Sequence, residues 1–199
     1  MRSAYLIWAH KDVPNACALS GLLGVDKQYE LLMGIQRQAT FPNDAMFRMN
    51  PDFPHDTLLT DSLLNTDMMI VVSLRLKEYL HARELKNVEY LPVTILNHKQ
   101  KAASRDYFII HPIEPVDCLD IEKCVPMRSR IDPETIMMIK RLVIDEHRVD
   151  PEREFFRPKF YPRITMVRRE LAEAIDGEGF TGIRWVELED YPRPRSTGE

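Results

Sequence analysis

Val71 to Val93 reads VVSLRLKEYLHARELKNVEYLPV, and an ungapped shift of 95 residues lays it over Met166 to Leu188, MVRRELAEAIDGEGFTGIRWVEL. Identities are few (Val72/Val167, Leu76/Leu171, Glu78/Glu173), but apolar positions pair throughout: Leu80/Ile175, Leu85/Phe180, Val88/Ile183, Tyr90/Trp185, Leu91/Val186 and Val93/Leu188. Each stretch reads as strand, helix, strand. Met68 to Val72 is a short apolar run and Ser73 stands where a helix N-cap belongs. Leu76, Tyr79 and Leu80 then share one helical face, while Lys77, Glu78 and Arg83 face water. Burying each such apolar side chain contributes about 1.5–3 kcal/mol. Asn87 closes this helix, and Gly177 and Gly179 stop its counterpart over Glu170 to Ile175. A β-α-β unit cannot bury its apolar face alone, so the two must pack on a shared sheet. Identity this sparse is also what two unrelated β-α-β stretches would show, so duplication and coincidence both stand.

Outward from this pair, Val88 to Leu96 and Asp106 to Ile110 form a hairpin across the polar loop Asn97 to Ser104. Pro92 puts the first of these strands at an edge or a bulge, because proline has no amide to donate. Residues 3–9, SAYLIWA, are rich in strand formers and give an edge or first strand. From Pro14 to Asn65 the signals are weak. Tyr29 to Ile35 is compatible with a strand, and Pro42, Pro51 and Pro54 with Asn43 and Asn50 imply a long, turn-rich surface connection. Val116 to Lys123 reads as a strand end and a turn. Asp132-Pro133-Glu134 looks like a helix start, yet Ile136 to Ile144 is rich in branched residues; strand is favoured there, with helix as the alternative for residues 134–141. The tail from Tyr191 is proline-rich and reads as loose. The expected fold is α+β: a mixed, largely antiparallel sheet with two similar β-α-β modules, few helices and long N-terminal loops. Residues 1–191 read as one domain, with a variable loop-rich part over 1–66 and a core over 67–191, followed by a flexible tail over 192–199.

Composition sets the function classes. The chain has 199 residues, 44% of them hydrophobic, and a formal charge of -4, too mild for wholesale binding to nucleic acid or an anionic membrane. Cys17, Cys118 and Cys124 are an odd number without metal-like pairing, which fits a reducing cytoplasm. The N-terminal run Ala4 to Ala9 is shorter than a signal h-region, and no later run reaches the ~20 residues of a membrane span. Basic charge gathers in residues 123–169, with 12 basic and 7 acidic side chains. There Phe155, Phe156, Phe160 and Tyr161 alternate with Arg153, Arg157, Lys159 and Arg163, a mixture able to stack on bases and neutralise phosphates. The favoured alternative sends the phenylalanines inward on a short strand and leaves the arginines solvated.

Chemistry-bearing patterns are sparse. His10, His55, His81, His98, His111 and His147 are scattered without metal-ligand spacing, and seven glycines supply no phosphate loop. Asp117, Asp120 and Glu122 could gather a divalent cation, but such a run is more often a turn with solvated carboxylates. No catalytic residue, metal site or cofactor is assigned. An enzyme with a dispersed site is the least favoured reading, behind a nucleic-acid-binding module using residues 153–163.

One resemblance emerges from order and spacing. Asp61, then IVVSLRLKEYL (70–80), NVEYLPVTI (87–95), DYFIIHP (106–112), VDCLDIEK (116–123), LVID (142–145), FFRP (155–158), LAEAI (171–175) and GFTGIRWVEL (179–188) resemble immunity protein family eleven of bacterial polymorphic toxin systems. The match covers Thr60 to Leu188, about two thirds of the chain, and departs at Cys124, where Ser or Thr is expected, and at Trp185, where Phe is usual. The resemblance implies a cytoplasmic protein that binds a cognate toxin domain and covers its active site. A rigid core would then present the loops Pro14 to Asn65 and Asn97 to Ser104 for recognition. Phe41, Phe47, Phe53, Asp44, Asp52 and Asp56 are the exposed candidates there, and Phe47, Asp52, Phe53 and Asp56 are taken as partner-binding. Such acids would suit a cationic, nuclease-like surface; the alternative is a solvated loop whose phenylalanines tuck into the core.

Overall fold

The structure, a computed structural model, describes residues 2–192, so all of the expected tail over 192–199 but its first residue lies outside the described residues. In chain order its elements are β1 (Tyr5–His10), β2 (Leu19–Leu23), α1 (Tyr29–Leu32), β3 (Met46–Met49), β4 (Ser62–Leu63), β5 (Ile70–Ser73), α2 (Leu74–His81), β6 (Val88–Leu96) and β7 (Ala102–Pro112). They continue with β8 (Pro126–Arg128), β9 (Ile136–Ile139), β10 (Phe155–Phe156), β11 (Met166–Arg168), α3 (Arg169–Gly177) and β12 (Ile183–Val186). The fold is mixed α+β and largely antiparallel: only β3 and β6 pair in parallel among the named strands.

The two aligned stretches form equivalent units, but not as simple β-α-β folds. In each, an antiparallel strand from elsewhere in the chain slips between the two strands joined by the helix. The orders β4-β5-β7-β6 and β10-β11-β1-β12 correspond strand for strand. Register corresponds too. Val71 and Leu91 both lie opposite Ile109, and their counterparts Met166 and Val186 both lie opposite Ile7. Ser62 and Leu63 oppose Val72 and Val71, as Phe155 and Phe156 oppose Val167 and Met166. Even the tyrosines match: Tyr107 donates its hydroxyl to the Thr60 carbonyl at 2.8 Å, and Tyr5 donates to the Arg153 carbonyl at 3.3 Å. The likeness between the halves is therefore one of architecture and pairing, well beyond the shared apolar pattern.

Alternation of side chains along these strands decides the layers. Val72, Ile110, Val167, Leu6 and Trp8 point to one side of their sheets. There they meet Leu76, Leu80 and Leu85 of the first unit and Leu171, Ala172 and Ile175 of the second in a single shared core. Val71, Ile109, Leu91 and Tyr107 point the other way, beneath a cover formed by the N-terminal segment. Tyr5, Ile7, Met166 and Val186 likewise lie beneath the segment around residues 116–149. Ser73 caps α2 by accepting the Leu76 amide at 3.3 Å, while its hydroxyl donates to Asp61 at 2.8 Å. Asp61 also accepts the Thr181 amide and hydroxyl, each at 2.9 Å, and so ties the first unit to the second. Gly182 follows with φ +82°, and a Cβ there would stand 2.2 Å from the Ser62 carbonyl oxygen.

Several expectations are corrected. Of the two readings for residues 3–9, first strand holds and edge does not, since β1 lies between β11 and β12. The N-terminal part is less loop-like than its prolines suggest, for β2 and β3 extend the first sheet to six strands. Tyr29 to Leu32 is a helical turn, not a strand. It is held by Arg37, whose guanidinium reaches Glu30 at 2.5 Å and Asp26 at 3.1 Å. The helix before Asn87 ends at His81, and Asn87 itself adopts φ 58° as the chain turns into β6. Of the two readings for residues 134–141, strand holds. Pro92 sits where β6 has one strand neighbour, because β3 joins only from Thr94, and the ladder shifts just after it. Tyr191 is packed: its ring meets Tyr161 edge-on, with the hydroxyls 3.0 Å apart.

Because both helices feed one core, Leu76→Ala and Leu171→Ala should each cost about 2–5 kcal/mol in urea unfolding, and together less than their sum. Gly182→Ala should cost at least about 2 kcal/mol through backbone strain and collision with Ser62.

Candidate partner-binding surface

The loop after β3 carries the side chains singled out above. Its backbone is tied at both ends: the Asn50 amide donates to the Ala18 carbonyl at 2.8 Å, and the Leu58 amide to the Asn15 carbonyl at 2.8 Å. Between them run two consecutive turns, Phe53 amide to Asn50 carbonyl and Asp56 amide to Phe53 carbonyl, both 3.1 Å. Pro51 and Pro54 fix φ inside these turns, and the Asn50 side chain accepts the Asp52 amide at 3.0 Å. The result is an ordered loop with Phe53 50% exposed, Asp52 and Leu58 exposed and Asp56 half-buried; Asp44, before β3, is exposed as well.

Phe47 does not belong to that surface. It is 0% exposed, because alternation along β3 sends Ala45, Phe47 and Met49 inward and turns Arg48 outward. Phe41 is half-buried against the same core. The loop thus presents Asp52, Phe53 and Asp56, while Phe47 belongs to the core.

The basic, aromatic stretch at 153–163 does not assemble a stacking platform. Phe155, Phe156 and Tyr161 are buried, leaving Phe160 exposed with Lys159 over its ring at 5.5 Å. The phenylalanines of β10 point inward as expected, but the expectation of solvated arginines fails at Arg157. It is 2% exposed, donates to the Met68 carbonyl at 2.8 Å and to the Pro162 carbonyl, and burial pulls its guanidinium down to about 10. Arg153 is occupied with the carbonyls of Ile113 and Glu114, at 3.2 and 3.0 Å.

All three thiols are buried and unpaired, and burial pushes Cys17 up to about 11 and Cys118 up to about 12, away from the thiolate form. Among the described residues no three His, Cys, Asp or Glu side chains converge as a metal site. Sequence reasoning missed one buried polar cluster. Glu89 accepts the amides of Arg37 and Gln38 at 2.9 and 3.1 Å, and His111 Nε2 lies 2.8 Å from the Ile35 carbonyl and 3.8 Å from Glu89. These contacts pin the segment after α1 to the end of the β6–β7 hairpin. The only signal was an acid and a histidine opposite each other across that hairpin. Among the described residues no helix is long and apolar enough to cross a membrane.

The geometry defines a mixed α+β scaffold that holds ordered loops on its covers, a class suited to binding. The chain belongs to the immunity protein family Imm11, whose family model matches residues 11–190, and membership carries, at family level, an immunity role against a toxin. No curated protein matches the chain closely enough to add to that assignment.

Burial holds the His111 imidazole below its ordinary range, with Arg157 and Arg37 acting the same way against the Ile35 carbonyl and Glu89. The unfolded chain therefore binds a proton at this site that the folded chain resists, so stability should fall as pH drops through about 6.5. His111→Gln, which keeps an amide donor for Ile35, should flatten that part of the profile in thermal melts.

Proposed function

We propose that this chain neutralises a cognate toxin by stoichiometric binding in the cytoplasm of the producing cell, carrying out no reaction of its own. The contact surface is the loop at residues 50–58, with Phe53 as apolar anchor and Asp52 and Asp56 as charged flank. The observation that carries this reading is the loop's order. Its turns are already hydrogen-bonded and its prolines set, so the entropy lost on docking is small, while an exposed aromatic ring is the kind of group that dominates binding energy. Its acids favour a cationic toxin surface and faster encounter. The burial of Arg157 and three of the four neighbouring aromatic rings counts against a nucleic-acid surface at 153–163.

Co-expression with its cognate toxin, sought first among the neighbouring genes, should restore survival, and the purified pair should form a complex of nanomolar or tighter affinity without turnover. Replacing Asp52, Phe53 and Asp56 together by alanine should raise Kd about 10- to 100-fold with an unchanged thermal melt. Phe47→Ala, by contrast, should lower stability by about 3–5 kcal/mol. Unchanged affinity in the triple variant would remove this loop from the interface.

A further inference from the structure

The β8–β9 hairpin projects from the cover over the second unit and concentrates exposed apolar side chains. Ile131 at its tip is 97% exposed, and Val125, Met127, Met137 and Met138 are exposed along it, whereas Ile136 and Ile139 anchor it in the core. Met127 lies directly opposite Met138, and the register slips next to this pair, which breaks strand alternation and turns Met137 outward as well. A cluster of this density exceeds the scattered apolar exposure normal for a protein surface.

The tip is built to hold Ile131 in place. Ser129 Oγ accepts the amides of Ile131 and Asp132 at 3.1 and 3.2 Å, and the Ser129 amide donates to the Thr135 carbonyl at 2.9 Å. The Asp132 carboxylate accepts the Glu134 amide at 3.1 Å and the Thr135 hydroxyl at 2.5 Å. Arg128 ties the strand to the turn through the carbonyls of Pro133 and Glu134, at 2.9 and 3.3 Å. Arg130 at this tip, and Lys140 and Arg141 at the base of the hairpin beside Val125, form no ion pair among the described residues. Lys140 and Arg141 also line an open cleft of about 860 Å³ together with Arg2, Glu146 and Glu187.

We propose that this hairpin is a second toxin-contacting element: Ile131 and the methionine pair seat in an apolar depression on the cognate toxin, and Arg130 near the tip with Lys140 and Arg141 at the base meet acidic side chains on it. The proposal rests on the toxin-binding reading above and adds a contact of opposite charge to the acidic loop. Methionines suit the role because their flexible, polarisable side chains adapt to an irregular depression. A second copy of this chain is a poorer occupant, since a two-fold contact through the hairpin would bring its free cations together. An anionic bilayer is poorer as well, because Asp132 and Glu134 stand within a few residues of Ile131 at the tip.

The test uses the full chain and the purified toxin domain that the co-expression assay above identifies as its partner. Replacing Met127, Ile131 and Met138 together by serine should raise Kd at least about 30-fold. The thermal melt should stay as in the parent, since none of these side chains enters the core. Arg130→Glu with Lys140→Glu and Arg141→Glu should slow association and reverse its salt dependence. If the serine variant is unstable, a photo-crosslinking residue at Ile131 replaces it: crosslinking to the toxin supports the proposal, and none in an assembled complex overturns it. Parent-like affinity, within about twofold, in a folded serine variant overturns the hairpin contact and leaves the immunity reading intact. Failure of the parent chain to bind the toxin overturns both. Hairpin-dependent dimerisation, or sedimentation with phosphatidylserine vesicles, accompanied by unchanged toxin affinity, overturns the proposal in favour of those occupants.

Discussion

Each of the two units has a sheet face that carries a helix, and neither helix is long enough or covered enough to survive with that face in water. Leu76 and Leu80 from α2 and Leu171, Ala172 and Ile175 from α3 are buried together, with Trp8 filling the space between Phe155 and Trp185 by edge-on ring contacts at 5.9 and 5.2 Å. This mutual burial is the constraint from which the rest follows, because an eight- or nine-residue helix has little stability in isolation. The polar seam at Asp61 then fixes how the units meet. One carboxylate serves the cap residue Ser73 on one side and Thr181 on the other, and Gly182 allows the strand bearing Ser62 to approach without a side chain intervening.

The alignment of the two stretches was legible because their apolar positions obey the helical and strand periods. The middle strands were not, since β7 follows its unit in sequence while β1 lies far before its own, and no local pattern says which strand will insert. The N-terminal strands were hidden for different reasons. In β2, Gly21 with φ 56° sits where the ladder slips between Ser20 and Leu22, so its alternation is broken. In β3 the alternation of Ala45, Phe47 and Met49 was present, but the flanking prolines and asparagines made the whole segment read as loop. Phe47 was misplaced for that reason, while Asp52, Phe53 and Asp56 lay within the turns that those same residues do form. Arg157 had no readable signal at all. A basic residue among aromatics looks alike in sequence whether it is solvated or spends its donors on the Met68 and Pro162 carbonyls.

The division between repeated and unrepeated parts also divides the surface. Within the paired units, large apolar side chains are mostly committed to the shared core or to the sheet faces beneath the covers. The covers hold most of those left in solvent: Tyr29, Met33, Ile35, Phe53 and Leu58 over the first sheet, and Val125, Met127, Ile131, Met137 and Met138 over the second. A scaffold whose own packing is satisfied can carry such exposed groups without losing its fold, since they contribute nothing to its core. Under the proposed reading, function placed there is separable from stability.

The charges on the two covers decide what kind of ligand can use both. Phe53 lies between Asp52 and Asp56 in sequence, whereas the hairpin bearing Ile131 is flanked by Arg130, Lys140 and Arg141. A polyanion such as nucleic acid would be drawn to one and repelled by the other, and an anionic bilayer would meet the same conflict. A folded protein carries both signs on one surface together with apolar depressions between them. Under the proposed reading, the combination of an acidic, aromatic loop and a methionine-bearing hairpin with excess basic charge suits a protein partner better than a polyanion.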